Sequence, residues 1–222
     1  MKKLLLFGLI LAISLPACAL AQFDYEGKNM GIQLDLGFGF TKGIDVEEAG
    51  LIQGIEQSSG TSLRFGATGK WRVVQGLYIQ PLFQVGFYSQ EVDLSGYSTQ
   101  QGQAIDNMNW SVTHFTFGVL PAWYLRLENS PIHPYGGLGL KLHIVSAGDP
   151  EIELKSGGTL QQNLEGESYT AFGMTPSLGA EFVFGPDKNM SIPLSFDFDL
   201  IFAGEVSSMI TIRTGFCFYF GS

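Results

Sequence analysis

The chain has 222 residues, 45% of them hydrophobic and 13% aromatic, with glycine at 29 positions. That composition suits one all-β domain better than a helical bundle. With 12 Lys and Arg against a formal net charge of -9, it lacks the clustered basic surface that phosphate recognition requires, and nucleic-acid partners are excluded on that ground.

The first residues, MKKLLLFGLILAISLPACALAQ, read as a signal peptide over 1–21. Lys2 and Lys3 form a basic start, Leu4 to Leu15 an apolar run too short to span a bilayer, and Ala19-Leu20-Ala21 a small-x-small cleavage site. Leu15-Pro16-Ala17-Cys18 matches a lipobox only loosely, because proline interrupts it. Cleavage after Ala21 leaves Cys217 as the lone thiol, so stability cannot come from an intramolecular disulfide.

From Met30 onward, side chains alternate with period two in eight segments. The first, NMGIQLDLGFGF, sets Leu34, Leu36 and Phe38 against Gln33, Asp35 and Gly37. The second, TSLRFGATGKWRV, sets Leu63, Phe65 and Trp71 against Arg64, Lys70 and Arg72, and the third, LYIQPLFQVGFYS, sets Phe83 and Phe87 against Gln80 and Gln84. In the fourth and fifth, Phe115, Phe117, Leu140 and Leu142 oppose His114, Thr116, Lys141 and His143. In the sixth, Phe172, Leu178 and Phe182 oppose Gly173, Ser177 and Glu181. The seventh, LSFDFDLIF, places Phe196 and Phe198 opposite Asp197 and Asp199, and the eighth, MITIRTGFCFYF, places Phe216, Phe218 and Phe220 opposite Arg213, Cys217 and Tyr219. Pro81, Pro121, Pro176 and Pro193 fall inside these segments and are expected to mark bulges or kinks, since each lacks a ladder donor.

Connections alternate between long (41–60, 90–109, 146–168) and short (74–76, 128–133, 186–190), the asymmetry of an up-and-down barrel in an outer membrane. Only the last hairpin, 203–208, is short where a longer loop is expected. Periodicity alone fits a soluble lipocalin-like barrel equally well, but bulk does not. An eight-stranded barrel has a lumen just wide enough for side chains, and the Phe, Leu, Ile, Met and Trp of the apolar face would overfill it. That face therefore points to lipid, and closure pairs every backbone group. Trp71, Trp123, Tyr124 and Tyr135 near the short turns, with Tyr88, Trp110 and Tyr169 near the long loops, are expected to form two interfacial girdles.

A leader, alternating strands, asymmetric connections and the terminal aromatic strand TGFCFYF resemble the small outer-membrane β-barrel proteins of Gram-negative bacteria, broadly OmpX-like and OmpA-barrel-like. The resemblance implies an eight-stranded antiparallel transmembrane barrel over 22–222 with periplasmic termini. It also implies that Phe216, Phe218 and Phe220 carry the signal read by the barrel assembly machinery, although Gly221 and Ser222 follow where the family ends on Phe.

The lumen face gathers Arg64, Lys70, Arg72, Lys141 and Arg213 with Asp35, Glu181, Asp197 and Asp199, and desolvation requires such charges to pair. Lys70, Arg72 and Glu181 are expected near the short-turn end, Asp35, Lys141, Asp197 and Arg213 at mid-height, with Asp197 pairing to Arg213. His114 and His143 face inward on adjacent strands without a third ligand at matching depth, which points to packing and hydrogen bonding and away from a metal. A Ser/His/Asp lipid hydrolase needs a histidine at the lipid face, and none has that parity. The long loops are acidic: Asp45, Glu47, Glu48, Glu56, Glu91, Asp93, Asp106, Asp149, Glu151, Glu153, Glu165 and Glu167. They form a solvated, repelling surface, and the DPEIE stretch lacks EF-hand spacing for calcium. The expectation is a monomer without cofactor or enzymatic activity, in contact with outer-membrane lipid and lipopolysaccharide, acting structurally or at the surface with a plugged lumen; a narrow solute pore is the alternative.

Overall fold

The computed structural model describes residues 29–42, 59–74, 76–99, 102–125, 127, 130–149, 151–161, 168–185, 187–203 and 205–220. The leader, including Cys18, and the acidic residues Asp45, Glu47, Glu48, Glu56, Glu165 and Glu167 lie outside them.

Each alternating segment forms a strand: β1 (Met30–Lys42), β2 (Ser59–Val74), β3 (Leu77–Asp93), β4 (Ile105–Tyr124), β5 (Ile132–Ala147), β8 (Ser168–Phe184), β9 (Met190–Ala203) and β10 (Glu205–Phe220). Consecutive members of this set pair antiparallel, and β1 pairs with β10 through Leu34↔Phe216, which closes the eight-stranded barrel. Closure leaves no open edge among the eight staves and satisfies their backbone within the wall.

The third long connection differs from the expected loop. It contains a hairpin, β6 (Glu151–Leu154) and β7 (Gly158–Gln161), that pairs with an upward extension of β4 through Asn109↔Glu151 and Asn107↔Glu153. Gly157 turns the chain at φ 76°, a left-handed conformation that glycine adopts without penalty. Ile152 and Leu154 then pack with Leu94, Ile105, Met108 and Trp110, so a small apolar cluster stands above the barrel wall. Burial of that cluster stabilises what four-residue strands alone could not.

The four prolines do not shift the register. The β2–β3 ladder runs Thr68↔Leu82 and resumes at Trp71↔Ile79, skipping only the rungs beside Pro81. Equivalent gaps flank Pro121, Pro176 and Pro193, while the register shifts of the barrel wall and its extension occur at Arg72/Val74 and Ile105/Asn107. Each proline removes a donor on one side, and the neighbouring rungs hold the alignment.

The apolar face is the outer one. Phe172 (72% exposed), Leu178 (69%), Leu140 (67%) and Leu34 (66%) stand on the barrel surface, whereas Asp197, Asp199 and Arg213 are buried within. This is the inside-out distribution of a membrane-spanning barrel. The expected girdles need correction. Trp71 and Trp123 do face outward, but Tyr124 and Tyr135 are buried in the lumen, where their rings stack 4.7 Å apart. Tyr88, Trp110 and Tyr169 likewise share the inward parity of their strands; Trp110 packs on the upper apolar cluster and Tyr169 against Ala171, Ile201 and Met209. Height along a strand placed them at the interface, but parity decides direction.

Candidate functional site

Three layers of side chains fill the lumen from the short turns to the long loops. Small residues on one strand make room for large ones on the next. A Cβ on Gly118 would lie 2.8 Å from Lys141 Cγ, and one on Gly173 only 2.6 Å from His143 Nε2. These glycines fix where the long side chains can lie.

In the lowest layer Lys70 and Glu181 form a fully buried ion pair. Tyr219 Oη accepts from Lys70 Nζ at 3.2 Å and donates to Glu181 Oε2 at 2.5 Å. Tyr124 Oη donates to Glu181 Oε1 at 3.4 Å and accepts from Gln80 Nε2 at 2.8 Å. The ammonium also lies 5.5 Å from the centroids of both the Tyr124 and Tyr219 rings, within the range of cation–π attraction. Tyr78 and Tyr135 complete the cage with Leu82 and Leu120.

The middle layer is a shared network. Arg213 Nε lies 3.4 Å from Asp197 Oδ2 and its Nη1 3.5 Å from Asp35 Oδ2. Lys141 Nζ lies 2.8 Å from Asp199 Oδ1 and 3.6 Å from Asp197 Oδ2. Hydroxyls and an amide engage the carboxylates as well: Thr68 donates to Asp35 (2.5 Å), Ser177 to Asp197 (2.6 Å), Thr175 to Asp199, and Gln33 to Asp35. Such bonds offset the several kcal/mol per ion that desolvation costs.

In the upper layer Arg64 Nη2 donates to His114 Nδ1 at 2.8 Å and to Met209 Sδ at 2.8 Å, and His114 Nε2 lies 2.9 Å from His143 Nδ1. The two imidazole centroids are 5.0 Å apart. Buried polar atoms of the middle and upper layers without a protein hydrogen-bond partner include Arg64 Nη1, Gln84 Oε1, Thr116 Oγ1, His143 Nε2, Asp199 Oδ2 and Thr211 Oγ1.

Among the described residues, seven of those read from the sequence as a lumen network meet in charge pairs with one another: Asp35, Lys70, Lys141, Glu181, Asp197, Asp199 and Arg213. Arg64 does not. It is buried, but its close partners are imidazole, thioether and the Ser62 hydroxyl, and Asp197 and Asp199 act on it only at longer range. Arg72 is half-buried at the short-turn rim, where its backbone N–H donates to Asn29 O at 2.8 Å. Without Arg72 the buried set is balanced, four cations against four carboxylates. The tyrosine cage was missed; its signal was the inward parity of Tyr78, Tyr124, Tyr135 and Tyr219 around Lys70. Phe216, Phe218 and Phe220 all stand on the outer face of β10. Of the acidic outer residues, exposed Asp93 accepts from the Ser95 backbone N–H at 2.8 Å, which holds its carboxyl below the usual range. No group of three metal-ligating side chains occurs among the described residues.

The architecture is that of solved outer-membrane barrels. The outer membrane protein OprG from Pseudomonas aeruginosa shares the fold with a TM-score of 0.51 at 14% identity, the match covering 90% of this chain and 100% of that one. Neisserial surface protein A aligns over 88% of this chain and 99% of its own at 16% identity, with a TM-score of 0.49. No family model and no curated protein matches the chain. The chain therefore has the fold of the Gram-negative outer-membrane eight-stranded β-barrels.

Proposed function

We propose that the protein is a monomeric integral outer-membrane barrel whose lumen is closed by its own charged side chains, and which acts structurally or through its acidic outer surface, not as an enzyme. Its partners on this reading are outer-membrane lipid and lipopolysaccharide, with Phe216, Phe218 and Phe220 read by the assembly machinery. The observation that carries the closed lumen is the mid-height crossing: Arg213 on β10 reaches Asp35 on β1 and Asp197 on β9, while Lys141 on β5 reaches Asp197 and Asp199. Chains from four staves meet there, and a small solute would have to break charged contacts to pass. Purified protein in planar bilayers is expected to stay silent, and Arg213→Ala to raise conductance. Stepwise channels in the native protein, altered by Arg213→Ala, would overturn the reading.

A second reading, a narrow path for small solutes, draws on the unpartnered polar atoms of the middle and upper lumen. Buried polar atoms without protein partners are where water enters an interior. The tyrosine cage beneath them is then the constriction, and Tyr124→Ala with Tyr219→Ala should open it.

A further inference from the structure

The upper layer holds a chain of three side chains whose protons can be placed by elimination. A guanidinium donates and never accepts. Because Arg64 Nη2 donates to His114 Nδ1, that nitrogen carries no proton. A neutral imidazole then bears its proton on Nε2, and His114 Nε2 faces His143 Nδ1 at 2.9 Å. His143 Nδ1 is therefore an acceptor, and its own proton sits on Nε2, the atom left without a partner above Gly173. The first member of the chain fixes the tautomer of the other two, and both rings are neutral.

We infer that Arg64, His114 and His143 form an acid-sensitive latch across β2, β4 and β5 that ties the long-loop half of the barrel together while both imidazoles are neutral and releases when either takes up a proton. The added proton must go to Nδ1, the accepting atom of each link. It would set His114 N–H against Arg64 N–H, or His143 N–H against His114 N–H. The surroundings offer a new cation little compensation. Arg64 faces the pair from β2 and Lys141 from β5; Tyr88 on β3 lies by Arg64, with Tyr169 of β8 behind it, and Met209 brings only a thioether from β10. The carboxylate that faces His143, Asp199 on β9, already holds Lys141 at 2.8 Å, and Asp197, which faces Arg64, is shared between Lys141 at 3.6 Å and Arg213 at 3.4 Å.

The sign follows from linkage. Unfolded histidine takes up its proton at about pH 6.5 without losing a contact, whereas in the barrel the same proton, added to an accepting Nδ1, breaks a link of the latch. The latch's contribution is thus present above that pH and is lost as pH falls. The release rests on the closed, dry lumen of the proposed function, but the proton placement does not.

The test uses the full mature chain folded in detergent micelles. Nitrogen NMR of labelled histidines at pH 7.5 should show both rings protonated at Nε2 and bare at Nδ1. Urea unfolding should then show native stability falling between pH 6.5 and 4.5. A variant with His114→Asn and His143→Asn should show a flat profile over that interval, because Asn Oδ1 can accept where Nδ1 does and does not titrate. A proton on Nδ1 of either ring at pH 7.5, or variant and native profiles that superimpose, would overturn the latch. If the double variant fails to fold, the NMR assignment on the native protein still decides. Conductance at pH 7.5 with Nε2-protonated rings would sink the closed lumen and spare the latch geometry.

Discussion

At the short-turn end Lys70 and Glu181 face each other inside four tyrosine rings, whereas at the long-loop end Arg64 faces the His114 imidazole, with His143 behind it, and a thioether, with its carboxylates at longer range. Both regions are buried and both sit in the same barrel wall. The lower layer brings charge and counter-charge into direct contact and engages the Glu181 oxygens with two phenols. The upper layer spreads its compensation over Asp197 and Asp199 and leaves Arg64 Nη1 and His143 Nε2 without protein partners. A local pair fails when one member is removed; a distributed balance should degrade gradually.

The comparison can be broken most directly at Glu181. Glu181→Ala leaves the Lys70 ammonium buried without its carboxylate, and should cost about 3–5 kcal/mol in urea unfolding from micelles. Replacing both members, Lys70→Met with Glu181→Leu, should restore most of that, because an apolar pair of similar volume demands no desolvation of charge. A double variant as unstable as Glu181→Ala would show that the tyrosine cage, and not the ion pair, holds the layer.

Arg64→Met probes the other region. It removes a cation without orphaning a directly paired carboxylate, but strips His114 Nδ1 of its donor. The expected cost is about 1–3 kcal/mol, the range for a buried group left unsatisfied. A loss equal to that of Glu181→Ala would mean that the long-range carboxylates depend on Arg64 as strongly as Glu181 depends on Lys70.

Much of the barrel was legible because parity is a backbone property. In LSFDFDLIF the phenylalanines face lipid and Asp197 and Asp199 face the lumen, as alternation alone requires. The partner of Arg64 was not legible. Arg64 lies level with Gly86 on β3, which lies level with His114 on β4, so the guanidinium reaches two strands across because Gly86 has no side chain to stop it. That contact depends on the register of two ladders, and one sequence does not reveal the stagger. The β6–β7 hairpin was missed because its strands are four residues long and alternate too briefly to stand out from a polar loop. Tyr124 and Tyr135 were misdirected because amphipathic rings are at home at a membrane interface as well as beside a buried charge.

The smallest effect sharpens the role of the cage. Tyr124→Phe keeps the ring stacked on Tyr135 and beside Lys70 but removes the hydroxyl that donates to Glu181 and accepts from Gln80. The 3.4 Å bond to Glu181 is long, and Tyr219 donates to the same carboxylate at 2.5 Å. The loss should therefore be about 1 kcal/mol, near the net value of one buried hydrogen bond, and Tyr219→Phe should exceed it because that hydroxyl bridges Lys70 and Glu181 directly. Negligible losses for both would mean that ring packing, which both substitutions keep, dominates the lower layer. The contrast with the upper lumen would then be one of shape and not of charge.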